Sequence, residues 1–302
     1  MGDPRQIKLL KLQAGQLQIS IAPEIGGSIA SFTKHTHQGI IDIFRPLKSL
    51  DYNRKQVLEM GCFPLVPYSN RIRDGEFFAD NQKVKIPNSS NPDPHRCHGT
   101  GWGASWDVLD VTPNSAILNL EPDHDLPILF GAQQTFILTP AALEITLAVS
   151  NLGPTTFPVG LGLHPYFQNR SEASITADIP NEWVLDEESL PVNFRKNPDA
   201  AGFLSGYPSK NLKDMSAYSG WDGGAKIRWP SQNMSVEITT NPSLSHLLMW
   251  APAEQDCFCV EPVSHAIDGF NLAQHGNDNV GGIMLTRGET YSQSFKFTIG
   301  SA

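Results

Sequence analysis

The chain has 302 residues, 22 Lys+Arg against 31 Asp+Glu, a formal net charge of -9, and 40% hydrophobic content. That length and apolar share can build a substantial core without staples. The negative balance argues against nucleic acid or an anionic membrane as the general partner, and a neutral ligand fits it better than a polyanion. The four cysteines, Cys62, Cys97, Cys257 and Cys259, are too few for a disulfide framework and lack CxxC spacing, so they read as reduced thiols. No apolar run reaches the roughly 20 residues of a membrane span. No charged leader with an apolar stretch opens the chain, and MGDPRQ lacks the Ser/Thr of a myristoylation signal. The expectation is a cytoplasmic protein.

Period-two patterning dominates. Leu17, Ile19 and Ile21 alternate first, Leu143, Ile145, Leu147 and Val149 follow, and Phe295, Phe297 and Ile299 come last. The 25 glycines and 23 prolines punctuate the whole length, as in FPLVPYSN, IPNSSNPDPH and TTNPSLS, which suits many short strands joined by turns. No long helical stripe, fixed-period repeat or linker stands out. The pattern predicts an all-β chain, a single large antiparallel β-sandwich domain over 1–302. Asn88 to Pro94 and Asn193 to Lys213 read as exposed loops, the second with room for a short helix.

Four polar clusters break this plain pattern. In FPLVPYSNRIRDGEF, Asn70, Arg71 and Arg73 follow an apolar run with many hydrogen-bond donors, and Arg73 reads as a surface residue. In HRCHGTGWGASWDV the GxGxG spacing is not a dinucleotide fingerprint, because the third glycine is misplaced and no helix pattern follows. It reads as a flexible loop presenting His98, Trp102 and Trp106, with Trp106 the better candidate for core packing. In PVGLGLHPYF, read as one strand, Gly160, Gly162 and His164 share a face with Pro165 next; glycine in a strand marks a close approach, which predicts a cavity beside His164.

The fourth cluster is CFCVEPVSHAIDGFN. Alternation puts Cys257, Cys259 and Glu261 on one face and Phe258 and Val260 on the other. Pro262 holds Glu261 extended and removes a ladder donor, which predicts that the strand stops at the carboxylate. CxC is a weak metal signal, so Cys257 and Cys259, with Cys97 and His98, are expected to pack rather than bind zinc. His35 and His37 read as a solvated turn.

Together PYSNRIRDGEF, HGTGWGASW, GLGLHPYF and CVEPVSHAIDGFN, in that order from about residue 60 to 271, resemble the aldose 1-epimerase (mutarotase) family of the galactose-mutarotase-like group. The resemblance implies a β-sandwich of many antiparallel strands with an open cleft for a monosaccharide, no cofactor and no metal, and a monomer or weak dimer. It implies that Glu261 is the general base, His164 the general acid, and His98 a second histidine supporting the ring oxygen. Asn70, Arg71 and Asp222 of SGWDGG are then ligands of sugar hydroxyls.

The chemistry agrees. Interconverting the α and β anomers of an aldose needs one group to take the anomeric hydroxyl proton and another to protonate the ring oxygen. The expectation is an ionised Glu261 beside an at least partly protonated His164, each stabilising the other's charge. Three other readings compete. A hexose-6-phosphate 1-epimerase would use Arg71, Arg73 and Arg96 for phosphate. A glycosidase would pair Glu261 with Asp222 or Asp268. A non-catalytic carbohydrate-binding module would keep the cleft alone.

Overall fold

A computed structural model describes residues 8–49, 54–80, 82–87 and 93–302. The alternating segments become strands because β-branched and aromatic side chains fit a pleated surface buried on one face. Leu17–Ala22, Ala142–Asn151 and Thr290–Gly300 all form where period two is clearest. Every ladder joining the named strands is antiparallel.

Two large sheets face each other. An 11-stranded sheet runs from Leu10–Ala14 at one edge to Pro191–Lys196 at the other. Its middle is made by Cys62–Leu65, Gly162–Gln168, Cys257–Val263, His246–Trp250 and Met215–Ser219. A 9-stranded sheet has Met234–Asn241, Thr290–Gly300, Ala142–Asn151 and Phe130–Leu138 at its centre. The main core takes Ile19, Phe32, Phe167, Phe258 and Val260 from the first sheet and Ile145, Leu147, Val236, Phe295 and Phe297 from the second. Each such fully buried side chain contributes about 1.5–3 kcal/mol of transfer free energy.

The central strands of the larger sheet are buried on both faces. Phe63, Leu65, Tyr166, Trp183, Ala217, Leu248 and Cys259 form a second apolar cluster with Trp102 on the side away from the smaller sheet. Of the polar residues singled out in the sequence, His98, His164 and Glu261 meet on this outer face.

Several local expectations change. PVGLGLHPYF is two strands, Phe157–Val159 paired with Ile283–Leu285 and Gly162–Gln168 in the large sheet, with a corner at Gly160 and Leu161. Asn193 to Lys213 is not a plain loop: the edge strand Pro191–Lys196 reaches into it, and the helix Ala200–Ser205 buries Phe203. Of Asn88 to Pro94, residues 88–92 lie outside the described residues. The four cysteines are free and buried. Among the described residues no helix is long and apolar enough to cross a membrane.

Candidate active site

The sheet register brings two of the expected residues face to face. The strands Gly162–Gln168 and Cys257–Val263 pair at Gly162↔Val263 and again from Tyr166↔Cys259, so positions 164 and 261 lie opposite each other. His164 Nε2 is 3.4 Å from Glu261 Oε1. Between those pairs the ladder is interrupted, and the interruption holds Pro165 and Pro262, residues that have no N–H to give. The strand does not stop at Glu261 as expected: it continues through Pro262, which pairs with Leu247 on the other side. Each member of the pair is therefore held extended by its following proline while both strands run on.

The pair lies in a row of cross-strand neighbours, Trp183, Ala217, Leu248, Glu261, His164 and Phe63. His164 is flanked by Tyr166, nearly parallel at 4.7 Å and 14°, and by Phe63 at 4.6 Å and 36°. His98 meets its edge at 5.3 Å. Glu261 is only 1% exposed. His164 Nδ1 and Glu261 Oε2 are buried with no hydrogen-bond partner.

This burial overturns the expected protonation. Loss of solvent pushes the Glu261 carboxyl up to about 8, and it holds His164 well below its ordinary 6.5, with His98 and Arg45 acting in the same direction. In the unliganded site the pair is neutral, a carboxylic acid beside an imidazole. It still carries one proton, the same count as a carboxylate beside an imidazolium.

His98 is fixed by a reciprocal arrangement. Its N–H donates to Asn70 O at 2.8 Å, and Asn70 N–H donates to His98 Nδ1 at 3.2 Å. The ring is neutral, since burial first and Arg71 second push it down to about 3. With Nδ1 accepting, the proton sits on Nε2, which makes no hydrogen bond to the described protein. Both residues have positive φ, 53° at Asn70 and 70° at His98, so the two tight turns interlock. Asn70 Oδ1 accepts from Arg71 N–H, and Arg71 Nε bonds Asp93 Oδ2 at 2.9 Å.

Two residues given no positioning role in the sequence set this loop. His265 is fully buried, accepts Ser69 N–H on Nε2 at 2.9 Å and bonds Ala266 O through Nδ1 at 2.7 Å. Asp268 accepts Arg73 N–H at 2.9 Å and Asn271 Nδ2 at 2.7 Å, and its own N–H donates to Arg71 O. Both lie in VSHAIDGFN, whose density of polar groups after a buried strand was the available signal. His265 also explains Gly160, where a Cβ would stand 2.0 Å from His265 Cδ2, while one at Gly162 would meet Val263 at 2.8 Å. The glycines admit neighbouring side chains rather than a cavity.

The glycine-rich loop is pinned, not flexible. Gly99 and Gly101 press on Val66, and Trp102 and Trp106 are buried with their Nε1–H groups on Gly99 O and Gly101 O. Trp106 packs in the main core, whereas Trp102 lies 5.5 Å from both Phe63 and His98. Arg73 is partly exposed beside Asp268. Asp222 is the predicted residue that the structure does not join to the others: it is exposed, and its Oδ1 accepts Gly224 N–H within its own turn.

The closest approach to a metal-binding set among the described residues is His164, Cys259 and Glu261, with ligand atoms within 4.8 Å of one another. A tetrahedral zinc site would draw such atoms to edges of about 3.3–3.8 Å. The Cys259 thiol is held protonated by burial, which suits a packing cysteine rather than a metal ligand.

The family model for aldose 1-epimerase matches residues 8–298, and the chain belongs to that family. It is 28% identical over 275 residues to the Escherichia coli K12 protein YphB, described as uncharacterized, covering 88% of this chain and 91% of that one. A crystal structure of a putative aldose 1-epimerase from Escherichia coli K12 superposes with a TM-score of 0.87 at 26% identity, over 98% of this chain and 99% of that one. A galactose mutarotase-like protein from Clostridium acetobutylicum shares the fold, with a TM-score of 0.85 at 22% identity over 100% and 98%.

Proposed function

We propose that this protein is an aldose 1-epimerase interconverting the α and β anomers of a free aldohexose such as glucose or galactose. The observation that carries the reading is the buried His164–Glu261 pair, with one unpartnered polar atom on each residue. Glu261 takes the proton of the anomeric hydroxyl and His164 gives one to the ring oxygen, opening the ring to the aldehyde. Rotation about the C1–C2 bond presents the other carbonyl face, and the two groups exchange roles as the ring recloses. His98 offers Nε2–H to the ring oxygen, and Asn70 and Arg71 bind hydroxyls.

The neutral resting pair fits this cycle. A sugar hydroxyl donating to Glu261 favours the carboxylate, and the ring oxygen offers His164 an acceptor, so binding shifts the shared proton across the 3.4 Å contact. No exchange with bulk water is needed for that step.

The arginines favour an unphosphorylated sugar. Arg71 is paired with Asp93, Arg73 with Asp268, and Arg96 Nη1 donates to the backbone carbonyls of Asp93 and Pro94. A phosphate would meet two arginines whose charge a carboxylate already offsets and a third held on backbone carbonyls. The glycosidase reading is weakened in the same way, because Asp268 is engaged by Arg73 and Asn271.

Polarimetry of freshly dissolved α-glucose, α-galactose and xylose beside their 6-phosphates tests the reading. Fast decay of rotation with the free sugars is expected. Decay only with the phosphates would replace the substrate class, and decay at the buffer rate with sugar still bound would make the protein a binding module.

A further inference from the structure

A functional histidine is usually aimed by a hydrogen bond on its second ring nitrogen, which fixes both tautomer and orientation. His164 Nδ1 is buried and unpartnered, and Nε2 has only its 3.4 Å contact with Glu261. The rest of its orientation comes from packing. Phe63 lies on it at 4.6 Å and is itself braced by Trp102 at 5.5 Å. Tyr166 stacks on it at 4.7 Å, touches Trp250 only edge-on at 5.9 Å, and needs a brace of its own.

Arg45 supplies that brace. Its Cζ stands 3.7 Å from the Tyr166 ring centre. Its backbone N–H donates to Tyr166 O at 2.8 Å, and Nη2 donates to Met60 O at 2.8 Å and to Leu58 O. The guanidinium is thereby anchored to the end of the 3-10 turn Arg54–Glu59 and to the strand it covers. A planar cation suits an aromatic face and two carbonyls together in a way that an ammonium does not.

We propose that Arg45 is a positioning residue for the epimerase reaction: it clamps Tyr166 against His164 and so fixes the imidazole edge that faces Glu261. The proposal rests on the acid–base reading of His164. Arg45 also brings a positive charge near that ring. The other groups facing His164 are Glu261, His98 and Tyr166, with Cys62 and Cys259 on the neighbouring strands. Of these only His98 and Arg45 act with burial to disfavour the imidazolium.

Two variants separate the clamp from the charge. Arg45→Met removes both: kcat at neutral pH should fall about 10- to 100-fold, the scale of a small misplacement of a reacting group, with KM changed less than about threefold. The acid limb of its pH profile should also move to higher pH. Arg45→Lys keeps the charge and loses the flat fork, so the loss in kcat persists while the acid limb stays. NMR of the His164 ring in both variants gives a readout that needs no turnover: Arg45→Met should change its ring-current shift and raise its titration midpoint. If the parent failed to epimerise any sugar, this measurement would still decide the role of Arg45. Parental His164 resonances in Arg45→Met, or lower Tm with full kcat per folded molecule and an unmoved pH profile, would overturn the proposal.

Discussion

Two polar clusters share the outer face of the large sheet and differ in how their atoms are bonded. Around Ser69–Arg73, His265, Asp268, Asn70 and His98 all make hydrogen bonds that tie distant segments together. At the His164–Glu261 pair, Nδ1 and Oε2 have none. Leaving a buried polar atom unpaired costs about 1–3 kcal/mol. The unpaired atoms of the second cluster are free to meet partners that arrive from outside. In the proposed reaction the bonded cluster holds geometry and the unbonded pair moves the proton.

The largest effect should come from the unbonded cluster. Glu261→Gln keeps the shape but cannot take the anomeric proton, so mutarotation should fall by about 10²- to 10⁴-fold. Sugar binding measured by calorimetry should persist. Unchanged decay in polarimetry would remove Glu261 as the base and the contrast with it.

The pH profile sharpens the same point. With Glu261 at about 8 and His164 well below 6.5, the free enzyme carries one proton on the pair across the neutral range. Above about 8 that proton leaves and no group remains to protonate the ring oxygen. kcat/KM should be level near neutrality and decline roughly tenfold per pH unit beyond 8. A profile that instead rises through 8 would mean that the ionised carboxylate alone limits the rate.

The bonded cluster should respond through binding and stability. Asp268→Ala leaves Arg73 N–H without its acceptor and Asn271 Nδ2 with Glu76 O alone, a loss of about 1–3 kcal/mol in urea unfolding. The displaced Asn70–Arg71 turn should raise KM more than it lowers kcat. The reverse split would give Asp268 a part in the chemistry itself.

How much of this was legible in the sequence follows from the range of each interaction. Strand alternation is local, so Glu261 and His164 could be given faces, and each X-Pro step marked where the side chain is aimed. Cross-strand register is not local. Nothing in PVGLGLHPYF tells that its glycines receive His265 and Val263 rather than a ligand, because the intruding side chains lie about a hundred residues away. The protonation error has the same root: a pair seen in sequence has charges, whereas burial, the dominant cause here, exists only after folding. Arg45 is separated from Tyr166 by over a hundred residues, and no local pattern could have joined them.

The last test reads that burial directly. Glu261 ionises near 4.5 in an unfolded chain and at about 8 in the fold. Between those values the folded protein holds a proton that the unfolded chain has lost, so stability present below pH 4.5 is given up as pH rises to 8. Glu261→Gln has no proton to lose. Its stability relative to the parent should grow by about 1.4 kcal/mol per pH unit from 5 to 8 and then level off. His164 has the opposite sign, since its depressed value makes folding weaken as pH falls below 6.5, in parent and variant alike, and that contribution cancels in the difference. Urea unfolding of both proteins at pH 5, 6.5 and 8 gives the slope. A difference that does not change with pH would mean that Glu261 is already ionised in the resting fold, and the unbonded pair would then be an ion pair waiting for its sugar rather than a neutral one.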